Sequence, residues 1–164
     1  MTGGKGIAIL DTDVASFMLK GLPLGIEYAE LVCDYDLRLS FATAAELRFW
    51  ANRNRLGPRR RLHLDLFLSE CPVVPFSTGM EQLFARVMHE RESIGKRMEH
   101  SDAWTATTAL FHGVPLVTHD TDFHHTRGLR LITASAKVRA NQMLLDAAQA
   151  RRPMLLDMRC RCSL

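Results

Sequence analysis

The sequence predicts an α/β fold, a three-layer sandwich whose central, mostly parallel sheet of about five strands is covered by helices on both faces. Two observations support this. Short apolar runs that end at polar or acidic residues are typical of buried parallel strands. These runs alternate with segments of helical periodicity, which is the pattern of a parallel sheet with helical connections. With 164 residues, 47% of them hydrophobic, the chain fits one domain with a real core.

The apolar runs and the helical segments follow one another in a regular order. The predicted strands are residues 6–10, 37–42, 72–76, 115–120 and 129–133. The predicted helices are 13–20, 24–34, 43–57, 59–70, 78–91 and 101–113. Helix starts are indicated by Thr43 with Glu46 and by Thr78 with Glu81, both as capping boxes, and by Ser101.

Composition sets the class of protein. No apolar run reaches the roughly 18 residues of a membrane span, and the N-terminus lacks a signal peptide's apolar region, so we expect a cytoplasmic protein without a membrane partner. The net charge of +3 permits nucleic-acid binding without establishing it. We place one domain at residues 1–133 and a C-terminal extension at 134–164, with one helix and an irregular tail.

Four acidic residues stand where strands or turns meet helices, namely Asp11, Glu46, Asp102 and Asp120. Each has a local explanation, because Asp and Glu are common at helix caps, in first turns and in loops. Together they should meet at the carboxyl edge of the sheet, where open parallel sheets bind ligands. Carboxylates within about 6 Å of each other repel, so such a cluster requires a cation.

The type of ligand atom indicates which metal ion the acids would bind. Oxygen ligands without paired Cys or His favour Mg²⁺, with Mn²⁺ able to substitute, over zinc. Magnesium takes one or two carboxylates directly and leaves positions for a phosphate oxygen and a water. A phosphodiester substrate fits this arrangement.

Four segments carry a resemblance to a known family: ILDTDVASFML, FATAAELRFWANRNR, HSDAWTATTALFHG and VPLVTHDTDF. In order and spacing the chain resembles the PIN-domain nucleases, and among them the VapC-like ribonuclease toxins of type II toxin–antitoxin systems. The resemblance implies a PIN-like sandwich and a Mg²⁺-dependent endoribonuclease with an RNA substrate, a cognate antitoxin and a homodimeric state.

The resemblance also implies roles for individual residues. The catalytic set is Asp11, Glu46, Asp102, Asp120 and Thr118, the last as the family's hydroxyl residue. The metal ligands would come from Asp11, Asp102, Asp120 and Asp122, with the fourth ligand open between Asp120 and the additional acid Asp122.

Two further sets are candidates for binding. Arg59, Arg60 and Arg61, with Lys96 and Arg97, form basic clusters that fit an RNA backbone, although a solvated face explains them equally well. Phe49, Trp50 and Arg53 fit a groove for an antitoxin segment. For the two aromatic residues, packing in the core is the favoured interpretation.

Two other functions compete with the nuclease. The motif LDTDV also resembles the opening of haloacid-dehalogenase-type phosphatases, with Asp11 as nucleophile, but Ala15 departs from that pattern. The second alternative is a PIN scaffold that binds RNA or protein without cutting.

Overall fold

The computed structural model describes residues 5–134 and confirms the predicted fold. Its strands are β1 (Gly6–Leu10), β2 (Tyr35–Ser40), β3 (Val73–Val74), β4 (Leu116–Val117) and β5 (Leu131–Ile132). Its helices are α1 (Thr12–Lys20), α2 (Pro23–Leu31), α3 (Phe41–Arg53), α4 (Pro58–Glu70), α5 (Met80–Ser93) and α6 (His100–His112). All strand pairs are parallel, in the order β3-β2-β1-β4-β5.

The sheet separates two hydrophobic cores because successive side chains of a strand point to opposite faces. Ala8 and Leu10 pack with α1, α2, α3 and α4, whereas Ile9 between them packs with α5 and α6. Both faces are therefore covered, as the sequence predicts. In the described part of the chain, no helix is long and apolar enough to cross a membrane.

The hydroxyl group of Tyr28 makes hydrogen bonds to backbone groups that lie just beyond the ends of β4 and β5. It donates to the Thr118 carbonyl oxygen at 2.9 Å and accepts from the Ala134 amide at 3.1 Å. Its oxygen also lies 3.0 Å from His119 Nδ1. This buried side chain thus ties α2 to the segment that follows β4 and to the end of the described chain.

Three predicted helix starts are wrong. Ser40, in extended backbone, caps α3 by accepting from the Thr43 amide at 3.0 Å, so Thr43 and Glu46 form no capping box. The cap of α5 is Gly79, whose φ of 99° suits glycine, and Glu81 accepts from its amide at 2.7 Å. α6 begins at His100 after Glu99, so Ser101 lies inside the helix.

Two other differences concern loops and ends. The predicted polar loop after β4 contains a short 3-10 helix, Thr121–His125, which Asp120 caps. The predicted C-terminal extension was 134–164, and all of it except Ala134 lies outside the described residues.

Candidate active site

The four acids predicted from the sequence all lie at the carboxyl edge of the parallel sheet. Asp11 directly follows β1 and caps α1, and Asp120 follows β4. Glu46 lies in the N-terminal half of α3, and Asp102 lies in the first turn of α6. α3 starts at this edge because it directly follows β2, which ends there. α6 starts at this edge because it runs back across the sheet to the beginning of β4.

Asp11 is the most constrained of these side chains. It is 4% exposed, and both of its carboxylate oxygens accept hydrogen bonds. The Thr12 amide donates to Oδ1 at 2.7 Å and the Thr118 hydroxyl donates to Oδ2 at 2.8 Å. The capping role and a role in the site are therefore compatible, because each uses a different oxygen.

Thr118 joins Asp11 to Asp120. Its hydroxyl group is buried, donates to Asp11 and accepts from the Asp120 amide at 3.0 Å. Asp120 Oδ1 in turn accepts from the Asp122 amide at 2.8 Å. The side chain of Asp122 is exposed, and nothing described in residues 5–134 links its carboxylate to the other acids. The arrangement therefore favours Asp120 over Asp122 as the fourth acid.

Hydroxyl groups that the sequence interpretation missed hold Glu46 and join the two helices that carry Glu46 and Asp102. Thr12 Oγ1 donates to Glu46 Oε2 at 2.5 Å and so joins α1 to α3. Below the site, the hydroxyls of Ser40, Thr43 and Thr105 lie within 2.9–3.2 Å of one another and join α3 to α6. The only sequence signal was the unusual Thr content of α6.

The acids repel one another. Burial raises the pKa of Asp11 to about 6, with Asp13 and Asp120 adding to the rise and the hydrogen bonds from Thr118 and Thr12 opposing it. Burial, then the charges of Asp11, Glu46, Asp120 and Glu99, raises the pKa of Asp102 to about 7. The same charges mark these residues as spatial neighbours.

Little positive charge offsets this cluster. The salt bridges within residues 5–134 are Arg38–Asp36 and Arg48–Asp65, and neither involves the site. Burial and the charges of Asp120 and Glu46 raise the pKa of the exposed Asp13, although His119 and Lys20 lower it. The negative charge is thus largely uncompensated by the protein.

These residues fit a hard divalent cation that keeps much of its water. Among the described residues, no three His, Cys, Asp or Glu side chains are arranged to hold a metal ion by themselves. Magnesium needs only one or two direct carboxylates, and the donors here are oxygens. Asp11, Asp102 and Asp120 would hold such an ion through direct contacts and through water.

The predicted basic clusters occupy different places. Arg61 donates to Asn52 Oδ1 at 3.0 Å and to the Leu56 carbonyl at 2.9 Å. Arg61 therefore lies by the C-terminal end of α3, and Arg59 and Arg60 precede it in the first turn of α4. Lys96 and Arg97 are exposed in the segment that leads into α6, the helix that carries Asp102.

The favoured interpretation of Phe49 and Trp50 as core residues is wrong. Phe49 is 65% exposed and Trp50 is 39% exposed. Lys20 Nζ stands 5.1 Å from the centre of the Trp50 ring. Both rings, with the exposed Arg53, lie on a surface of α3 that faces away from the core.

Comparison with known proteins assigns the family. The PIN domain family model matches residues 8–129, which is most of the chain. The chain belongs to the PIN domain family. The match covers all four acids together with Thr118, so the motif LDTDV is part of a PIN domain.

The similar proteins confirm the resemblance to VapC-like toxins. The chain is 30% identical to the VapC ribonuclease Y4jK of Sinorhizobium fredii over 132 residues, 76% of this chain and 94% of that protein. It is 28% identical to toxin FitB of Neisseria gonorrhoeae over 121 residues, 69% of this chain and 87% of that one. The fold matches the promoter-DNA-bound VapBC2 of Rickettsia felis with a TM-score of 0.71 and 22% identity, over 79% of this chain and 99% of that one.

The raised pKa values predict how stability depends on pH. The folded-state pKa values of about 6 for Asp11 and about 7 for Asp102 lie above the ordinary value of 3.8. At pH values between the ordinary value and the raised values, the folded protein therefore binds more protons than the unfolded chain. These two groups therefore make the metal-free protein less stable as the pH rises through this window. Asp11→Asn should raise the free energy of unfolding at pH 8 by on the order of 2 kcal/mol.

Chemical denaturation in EDTA from pH 4 to pH 8 measures this effect. The matched control is Asp65→Asn, because Asp65 is exposed on α4 and paired with Arg48. A stability difference between wild type and Asp11→Asn that does not grow with pH would contradict the assignment. Added Mg²⁺ should stabilise the wild type more at pH 8 than at pH 5, since the ion requires the charged carboxylates.

Proposed function

We propose that this chain is a Mg²⁺-dependent endoribonuclease, with Mn²⁺ as a substitute, and the toxin of a type II toxin–antitoxin system. One observation carries the proposal: a cluster of carboxylates, whose pKa values are raised by burial and then by one another's charges, stands at the carboxyl edge of a PIN-domain sheet. Membership of the family and likeness to a VapC ribonuclease support the reaction class.

The residues of the chain would divide the work as follows. When bound, Mg²⁺ supplies a Lewis acid that activates water and neutralises charge on the scissile phosphate. Asp11, Asp102 and Asp120 would hold the ion, and the Thr118 hydroxyl fixes the Asp11 carboxylate relative to the Asp120 backbone. The Thr12 hydroxyl holds the Glu46 carboxylate, which would position the attacking water.

The phosphatase alternative has less support. Its nucleophile would be Asp11, but that carboxylate is buried and accepts one hydrogen bond at each oxygen. The PIN family match also accounts for the motif that suggested it. Trapping of an aspartyl-phosphate on Asp11 would restore this alternative.

Substitution of the acids tests the nuclease directly. Asp11→Asn and Asp102→Asn should each lower RNA cleavage by about 100-fold or more, because each removes a charge needed to hold the ion. EDTA should abolish cleavage, and Mg²⁺ or Mn²⁺ should restore it. The assay is cleavage of end-labelled RNA by protein purified free of any partner.

Asp65→Asn is the control, with an expected rate equal to that of the wild type. If cleavage survives both substitutions and EDTA, the nuclease proposal fails. Metal-independent RNA or protein binding without cleavage would then favour the non-catalytic PIN scaffold.

We also propose that an antitoxin covers the exposed aromatic surface of α3. The structures similar to this one include complexes of VapC with VapB and of FitB with FitA. Phe49 and Trp50 are exposed, as are Leu62 and Leu66 on the adjacent α4. A helical or extended segment of apolar residues would fit such a surface.

Phe49→Ala and Trp50→Ala should weaken capture of the antitoxin, each by about 1–2 kcal/mol, with RNA cleavage by the isolated protein unchanged. Calorimetric titration with the protein that co-purifies from the native host measures this. Phe111→Ala is the control, because Phe111 is also an exposed aromatic and lies on a different helix, α6. Equal loss for all three variants would remove α3 from the interface.

A homodimer remains a prediction from the family likeness, and a cytoplasmic location remains a prediction from the sequence. Sedimentation equilibrium of the isolated protein tests the first, and a mass of one chain at micromolar concentration would contradict it. Cell fractionation with an epitope tag tests the second.

A further inference from the structure

Four aromatic side chains from four different segments meet near the start of α6, and the nuclease proposal gives them no role. The ring of Trp104 stacks on Phe84 with centroids 4.1 Å apart and an interplanar angle of 18°. Phe41 contacts Trp104 at 5.4 Å, and Phe76 contacts it edge-on at 6.0 Å. We refer to Phe41, Phe76, Phe84 and Trp104 as the aromatic cluster.

The aromatic cluster lies at the same edge of the sheet as the acids. Trp104 follows Asp102 by two residues in the first turns of α6. Phe41 is the first residue of α3, the helix that carries Glu46, and Phe76 follows the end of β3. The aromatic cluster and the acids therefore share elements that meet at the carboxyl edge of the sheet.

The members of the aromatic cluster differ in exposure, and the difference is informative. Phe41, Phe84 and Trp104 are partly buried and hold one another in place. Phe76 touches Trp104 yet remains 50% exposed. A core packing role explains the three partly buried rings but leaves the exposed half of Phe76 without a function.

We propose that Phe76, braced by Trp104, is a stacking subsite for an unpaired base of the RNA substrate. This inference rests on the proposed nuclease function and names a side chain outside the acid cluster that would contact its RNA substrate. Aromatic rings bind unpaired bases by stacking, whereas bases inside a duplex are not accessible to them.

Two basic side chains near the aromatic cluster favour nucleic acid over an apolar protein surface. Lys96 and Arg97 are exposed in the segment that leads into α6, and His100, at the start of that helix, packs its ring 6.0 Å from Phe84. Lys96 and Arg97 can follow the phosphates on either side of a stacked base. The acids and their ion would then hold the phosphate to be cut at a fixed distance from that base.

RNA affinity in a cleavage-deficient background tests the subsite. The protein is the full chain with Asp11→Asn, and the probe is a fluorescently labelled single-stranded oligoribonucleotide. Phe76→Leu retains an apolar side chain but removes the flat face, so affinity should fall about five- to tenfold. Phe76→Tyr keeps the ring and should bind within about twofold of the parent.

Two controls separate stacking from general damage. Phe111→Leu, an exposed aromatic at the far end of α6, should leave affinity unchanged. A duplex of the same sequence should bind the parent and Phe76→Leu equally. In addition, Trp104 is the only tryptophan left after Trp50→Phe, and its fluorescence should change when the single strand binds.

The outcomes distinguish this inference from the nuclease proposal. If the single strand binds equally well to the parent and to Phe76→Leu, the subsite is overturned while the nuclease stands. If Phe76→Leu instead shifts the monomer–dimer equilibrium with RNA affinity unchanged, the ring is a protein contact and the inference is wrong. Binding that depends on Phe76 in a protein whose wild type does not cleave RNA would support the subsite and overturn the nuclease.

Discussion

Asp11 is buried at the end of β1, where it receives two hydrogen bonds but faces more negative than positive charge. Much of the surrounding structure serves to keep it there. The parallel sheet brings β1 and β4 to one edge, and the helices that start at this edge add Glu46 and Asp102. The fold thus brings negative charges closer together than they would be in an unfolded chain. A divalent cation would reduce the repulsion between these carboxylates, which no salt bridge within residues 5–134 offsets.

Hydroxyl groups, and not arginines or lysines, organise this charge. Thr118 holds Asp11, Thr12 holds Glu46, and the buried Ser40, Thr43 and Thr105 hydroxyls join the two helices beneath them. A neutral donor fixes the position of a carboxylate without neutralising it. The negative charge of the site would therefore remain available to the proposed ion, and these hydrogen bonds already fix the carboxylates without it.

The sequence predicted the parts of this arrangement that depend on local pattern. Apolar runs that end in acids located β1, β4 and the four carboxylates, because strand ends and ligand sites coincide in parallel sheets. Helix caps were less predictable, since Ser40, Thr43 and Glu46 all match capping signals and only packing against α6 selects Ser40. The burial of individual side chains was not predictable either, because it depends on contacts between residues that are far apart in the sequence. Phe49 is exposed, whereas Arg91 is 1% exposed and its guanidinium has no hydrogen-bond partner within residues 5–134.

The hydroxyl of Tyr28 links Ala134, the last described residue, to the backbone beside the acids. It receives the Ala134 amide and passes a hydrogen bond to the carbonyl of Thr118, the residue whose side chain holds Asp11. Ala134 is itself buried against the core. A shortened protein that ended at Thr133 would lose this amide and expose the backbone next to Thr118. A truncated version of the protein should therefore keep Ala134 and the residues that follow it directly.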